Sequence, residues 1–99
     1  MVKRIRWNKN AIVKVEKTAE YLELEFSIVT AERFVTNVYE CIEKIKKHPS
    51  RGRKTSLNPG ILFINLDNHR QLFYRIQKDE LIIIDIFDTR QNPEKRPFD

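Results

Sequence analysis

The stretch "LIIIDIFDTR", Leu81 to Arg90, decides how the chain is read. From Leu81 to Phe87 every residue is apolar except Asp85. A short, isoleucine-rich run of this kind predicts a strand central in a sheet, covered on much of both faces. Arg90 follows just past its end, between Thr89 and Gln91. Two readings compete there: a rim arginine bonded to Asp88, or a cation placed to hold an anion.

Working back towards the N-terminus, Gln71 to Gln77 alternates, with Leu72, Tyr74 and Ile76 against Phe73 and Arg75. Lys78 and Asp79 offer a tight turn into the run above. Tyr74 is expected in the core with its hydroxyl at the margin. Arg75 is expected to meet Asp85 across the strand pair. Ile61 to Leu66 is apolar except for Asn65, and Asp67, Asn68 and His69 are turn-formers. Three strands joined by short turns predict an antiparallel meander.

The first half reads differently. Val2 to Trp7 alternates and carries many charges, which predicts an edge strand. Asn8 or Asn10 is placed to cap a helix. Ile12, Val15, Ala19, Leu22 and Phe26 recur at steps of three and four, an amphipathic stripe. After a break at Ser27 to Thr30 comes a cleaner stripe: Ala31, Phe34, Val35, Val38, Cys41, Ile42 and Ile45. Pro49 ends that helix. The order β-α-α-β-β-β predicts an α+β fold, with a helical hairpin packed on one face of an antiparallel sheet. The 99 residues suit a single domain, 1–99, with 92–99 an irregular tail.

Charge narrows the function. Nineteen lysines and arginines against fourteen acids leave +5, which suits an anionic partner. Lys44 to Lys54 holds six cations and no acid. A single cysteine, Cys41, excludes an internal disulfide and a cysteine-rich zinc site, and its place on the second stripe makes it a core thiol. Nothing calls for a cofactor or a metal. The opening MVKRIRW lacks the apolar run of a signal peptide, and no stretch approaches a membrane span. A cytoplasmic location is expected.

In this order and spacing, four pieces resemble the RelE/ParE superfamily of toxins from type II toxin–antitoxin systems. They are the opening "IRWNKNA", the helix and loop "AERFVTNVYECIEKIKKHPSRGR", the strand "LFYRI", and "DTRQNP" after the last strand. The resemblance covers nearly the whole chain. It implies a growth-inhibiting toxin of the plasmid-stabilisation type, held inactive by a cognate antitoxin. ParE-like members poison DNA gyrase; RelE-like members cleave messenger RNA at the ribosome without metal. The long hairpin and the "GR" after the second helix point to the ParE-like branch, while "DTRQ" resembles the phosphate-holding arginine of the RelE-like one. A third reading is a basic binding module without activity.

Were the chain a nuclease, the resemblance and the chemistry together nominate Arg90, Arg70, Arg53, Lys54 and His69. A guanidinium holds two phosphate oxygens at once. Arg53 and Lys54 offer a second cationic wall, and a histidine titrates near neutrality. Two departures weigh against cleavage: "ILFINL" lacks the cation that RelE-like members carry on that strand, and no tyrosine or histidine follows Arg90. Each such group missing from a catalytic site typically costs about 10²-fold or more.

Overall fold

The run that decided the reading, β5 (Glu80–Asp88), stands inside the sheet between β1 (Arg4–Trp7) and β4 (Arg70–Gln77). Leu81, Ile82 and Ile83 are all buried, so both of its faces are covered there. The computed structural model describes residues 2–56, 58 and 60–90, so the tail expected at 92–99 lies outside the described residues. Between β1 and the meander come α1 (Lys9–Glu25), α2 (Ile28–Lys47), a 3₁₀ turn at Pro49–Arg51 and a two-residue strand, β2 (Arg53–Lys54). β3 (Leu62–Asn65) completes a five-stranded sheet ordered β1-β5-β4-β3-β2.

The expected architecture is present: two helices on one face of a sheet, with the first strand at an edge. The sheet, however, is mixed. β1 runs parallel to β5, in register from Arg4 opposite Glu80 to Trp7 opposite Ile83. β2 explains this. Read from sequence as loop, it pairs antiparallel with β3, and this extra reversal brings β5 back pointing the same way as β1.

The main core joins both helices to the β4–β5 face. Ala11, Leu22, Phe34, Val38 and Ile45 pack with Leu72, Tyr74, Leu81 and Ile83. The α2 stripe is buried as expected, with Val35 partly so. The α1 stripe holds at its middle, where Leu22 is buried and Val15 and Ala19 pack against the core, but differs at its ends. Ala11 is fully buried, whereas Ile12 is 42% and Phe26 66% exposed. A small alanine at the contact lets α1 lie close to β5 and rotates the larger side chains outward. Ser27 caps α2, its hydroxyl accepting from the Thr30 N–H at 3.1 Å; Asn8 occupies the α1 cap position without a side-chain bond. On the opposite face Ile61, Phe73 and Phe87 form a smaller apolar cluster with Phe63 and Ile84.

Candidate functional site

Two clefts gather the basic residues, and they differ in how the charges are matched. The first lies at the end of β4 and β5 beside α1. Register places Arg70, the first residue of β4, opposite Asp88, the last of β5. Asp67 organises the turn before it. Its Oδ1 accepts from the N–H groups of His69 and Arg70 at 2.8 and 2.9 Å, and its Oδ2 accepts from Arg70 Nη1 at 3.1 Å. Thr89 ties the two strand ends together, donating from its N–H to the His69 carbonyl at 2.6 Å. The Arg70 guanidinium also lies over the Phe34 ring, 5.3 Å from its centroid. A cation with a carboxylate on one side and a ring face below it is held as part of the structure.

Arg90 stands at the rim of this cleft and is bonded to Asp88. Nε and Nη2 donate to the two carboxylate oxygens at 3.1 and 2.8 Å, and the backbone N–H adds a bond of 2.9 Å. That fork holds the Asp88 carboxyl below the usual carboxylate range, with the Arg90 side-chain bond the largest cause. The same bond pushes the Arg90 guanidinium further up. The space between, about 410 Å³, is also lined by Lys14, Lys17 and Tyr21. Lys14 Nζ is itself paired, at 2.8 Å, with Asp85. This corrects the expected Arg75–Asp85 pair: counted back from the Lys78–Asp79 turn, the register puts Arg75 opposite Ile82, while Asp85 stands opposite Phe73 beyond the strand irregularity and turns its carboxylate to α1. Of the cations on this cleft, only Lys17 has no carboxylate partner among the described residues.

The second cleft lies between α2 and the β3 edge and measures about 330 Å³. Lys44, Arg51 and Arg53 line it, with the side chains of Asn37 and Asn65. The segment carrying the two arginines is latched to the sheet by Tyr74. The buried hydroxyl accepts from the Gly52 N–H and donates to the Pro49 carbonyl, both at 2.9 Å. Gly52 is there because the approach is too close for a side chain: a Cβ would stand 2.5 Å from Tyr74 Oη and 2.9 Å from the Phe63 carbonyl oxygen. Burial pushes the Tyr74 hydroxyl up from its ordinary value. Cys41 on the inner wall is pushed up to about 11, first by burial, so it is a neutral thiol at physiological pH.

The nominated residues thus divide. Arg90, Arg70 and His69 share one end of the sheet, and all three border a small recess that also meets Tyr21 and Phe26. Arg53 belongs to the second cleft, and Lys54, exposed on β2, lines neither. Sequence reasoning missed the neutralising role of Asp67; its position three residues before Arg70 was the available signal. It also missed Lys17 and Tyr21, which only the fold brings to Arg90. Among the described residues no cluster of three or more metal-ligating side chains occurs, and no helix is long and apolar enough to cross a membrane.

Comparison with known proteins supports the same fold. The family described as the ParE toxin of the type II toxin–antitoxin system, parDE, matches residues 5–93. No curated protein sequence matches significantly. Among solved structures, the chain is similar to the chromosomal ParDE toxin–antitoxin system of P. aeruginosa, with a TM-score of 0.73 at 16% identity, covering 88% of this chain and 96% of that one. A YoeB/ParE toxin from Agrobacterium tumefaciens gives 0.64 at 14% identity, covering 87% and 98%. A chain of the heterotetrameric YoeB–YefM toxin–antitoxin complex of Staphylococcus aureus gives 0.58 at 13% identity, covering 88% and 95%.

Proposed function

The chain belongs to the ParE family of toxins from type II toxin–antitoxin systems, and from that premise we propose that it arrests growth in the cytoplasm by binding DNA gyrase rather than by cutting RNA. The charge matching in the first cleft carries this reading. In-line RNA cleavage needs cations free to meet the phosphate, with a base and an acid in reach. Arg90 is engaged in a two-point bond by Asp88, and Arg70 in a single guanidinium bond by Asp67. Arg53 and Lys54 stand apart from both.

The shape of the hairpin tip fits a protein target. Leu24, Phe26, Ile28 and Val29 are 82%, 66%, 57% and 61% exposed around the α1–α2 connection. Apolar residues gathered on a small surface in this way mark contact sites more often than chance exposure does. An antitoxin partner is supported by the positive excess, which suits an acidic segment, and by a relative of the same fold that assembles as a toxin–antitoxin heterotetramer.

Induced expression of the chain alone is expected to stop growth, and co-expression with the acidic product of a neighbouring reading frame to restore it. With purified gyrase, the protein should inhibit supercoiling and trap cleavage complexes. Unaffected gyrase, together with mRNA cut at translating ribosomes, would replace this reading with that of a RelE-like interferase.

A further inference from the structure

The second cleft is the part of the molecule that the gyrase reading leaves without a role. Its cations are unmatched. Each arginine of the first cleft has a carboxylate, whereas Lys44, Arg51 and Arg53 have no ion pair among the described residues. One acid, the exposed Glu40, shares the wall, so the cleft remains net positive. Cys41 adds no negative charge at physiological pH. Lys44 also offsets the C-terminal end of the α2 dipole, a sufficient structural reason for a lysine there. Arg51 closes only a single 3₁₀ turn, too short for a comparable dipole, and Arg53 lies on β2.

Their placement costs effort elsewhere in the fold. The two arginines flank Gly52, and that glycine is pressed against Tyr74 so closely that no other residue fits without displacement. The Tyr74 hydroxyl then spans Pro49 and Gly52. A solvated basic loop has no need of a latch from the centre of the sheet. β2 meanwhile covers β3 only at Leu62 and Phe63, so the sheet edge stops short and the cleft opens beside Ile64 and Asn65. Holding like charges in one place is unfavourable unless an anion shares it.

We propose that the cleft between α2 and the β3 edge is a phosphate-binding site, in which Arg51, Arg53 and Lys44 hold the phosphates of a nucleic-acid strand or of a free phosphate compound. Guanidinium groups fork onto phosphate oxygens, and the Asn37 and Asn65 amides supply neutral donors on the facing walls. The walls are mainly polar, which suits a backbone of phosphates more than a peptide needing apolar pockets. The apolar surface of this molecule lies at the hairpin tip instead. Neither base nor acid accompanies these cations in a latched position, so the site binds without cleaving, and it stands whichever enzyme the toxin poisons.

The test is fluorescence anisotropy of the full chain with a labelled ten-nucleotide single-stranded DNA, across a salt series. Arg51→Gln and Arg53→Gln are each expected to weaken binding about twofold to fivefold and to flatten the log–log salt slope by about 0.7. Lys9→Gln, on the exposed start of α1, should leave both unchanged. Competition by inorganic pyrophosphate would assign the site to an isolated phosphate group, and its failure to compete would assign it to the strand. Either supports the proposal. A decaglutamate peptide that displaces the DNA as well as an unlabelled copy does would overturn it in favour of an acidic peptide. Equal affinity and salt slope in the two arginine variants and the unaltered chain, with folding confirmed by circular dichroism, would also overturn it.

Discussion

Replacing Tyr74 by phenylalanine tests the latch that sets both the second cleft and the end of α2. The ring is fully buried, and Tyr74→Phe keeps its packing while removing one oxygen. That oxygen makes two hydrogen bonds of 2.9 Å, to the Gly52 N–H and the Pro49 carbonyl. Each is worth about 1 kcal/mol net, so the variant should lose about 2 kcal/mol. For a domain of this size that lowers Tm by roughly 8–16 °C. Urea unfolding gives the first number and calorimetry the second. Amide exchange at Gly52 should rise as well, because its N–H loses its acceptor. A pH series separates the hydroxyl from the ring. Burial raises the folded-state pKa of Tyr74, so its contribution is complete below about pH 10, where the unfolded phenol is neutral, and is lost as pH rises through the folded value. Wild type should show this alkaline loss and the phenylalanine variant should lack it, both measured with Cys41 replaced by alanine to remove a second alkaline titration. A loss below about 0.5 kcal/mol with unchanged Gly52 exchange would refute the latch.

Gly52→Ala should destabilise by about 1–3 kcal/mol in urea unfolding, since the new methyl meets Tyr74 Oη and the Phe63 carbonyl oxygen. Cys41, pushed up to about 11 and 7% exposed, should react with iodoacetamide at pH 7.5 at least about 100-fold more slowly than a free thiol, and a comparable rate would contradict its burial. Asp88, held low by Arg90, contributes stability that is present above the ordinary aspartate range and is lost as pH falls through the folded value. Asp88→Asn should therefore reduce the acid dependence of urea midpoints between about pH 5 and pH 2, and an identical profile would show the fork to be without energetic weight. The same substitution releases Arg90 and is expected to leave translating-ribosome mRNA uncut, because Arg70 is still held by Asp67.

The central strand, the α2 stripe and the meander were legible because burial imposes a period that residues announce locally. Ala31, Phe34, Val38, Cys41, Ile42 and Ile45 are buried as their spacing requires. The α1 face was less legible. Ala11 and Ile12 differ little as members of a stripe, and only the closeness of β5 decides that the smaller one turns inward. The parallel edge strand was hidden for a similar reason. Arg53 and Lys54 look like basic loop, and their two-residue pairing with β3 depends on where α2 releases the chain.

Among the candidate residues, sequence alone placed Arg90 beyond a central strand and gathered cations between Lys44 and Lys54. It also set out the family pattern that the chain follows. Residue type and order carry that much, since charge and strand period are local properties. Which cations are free is not local. Asp88 and Asp67 stand only two and three residues from Arg90 and Arg70, yet whether these neighbours bond is decided by the turn and strand ends that hold them, Arg90 by a fork and Arg70 by one guanidinium bond. Arg51 and Arg53 have no ion pair among the described residues, and Tyr74, more than twenty residues away, fixes the loop that carries them. The tertiary structure thus turned the favoured arginine into half of an ion pair and left the open positive charge on the far edge of the sheet.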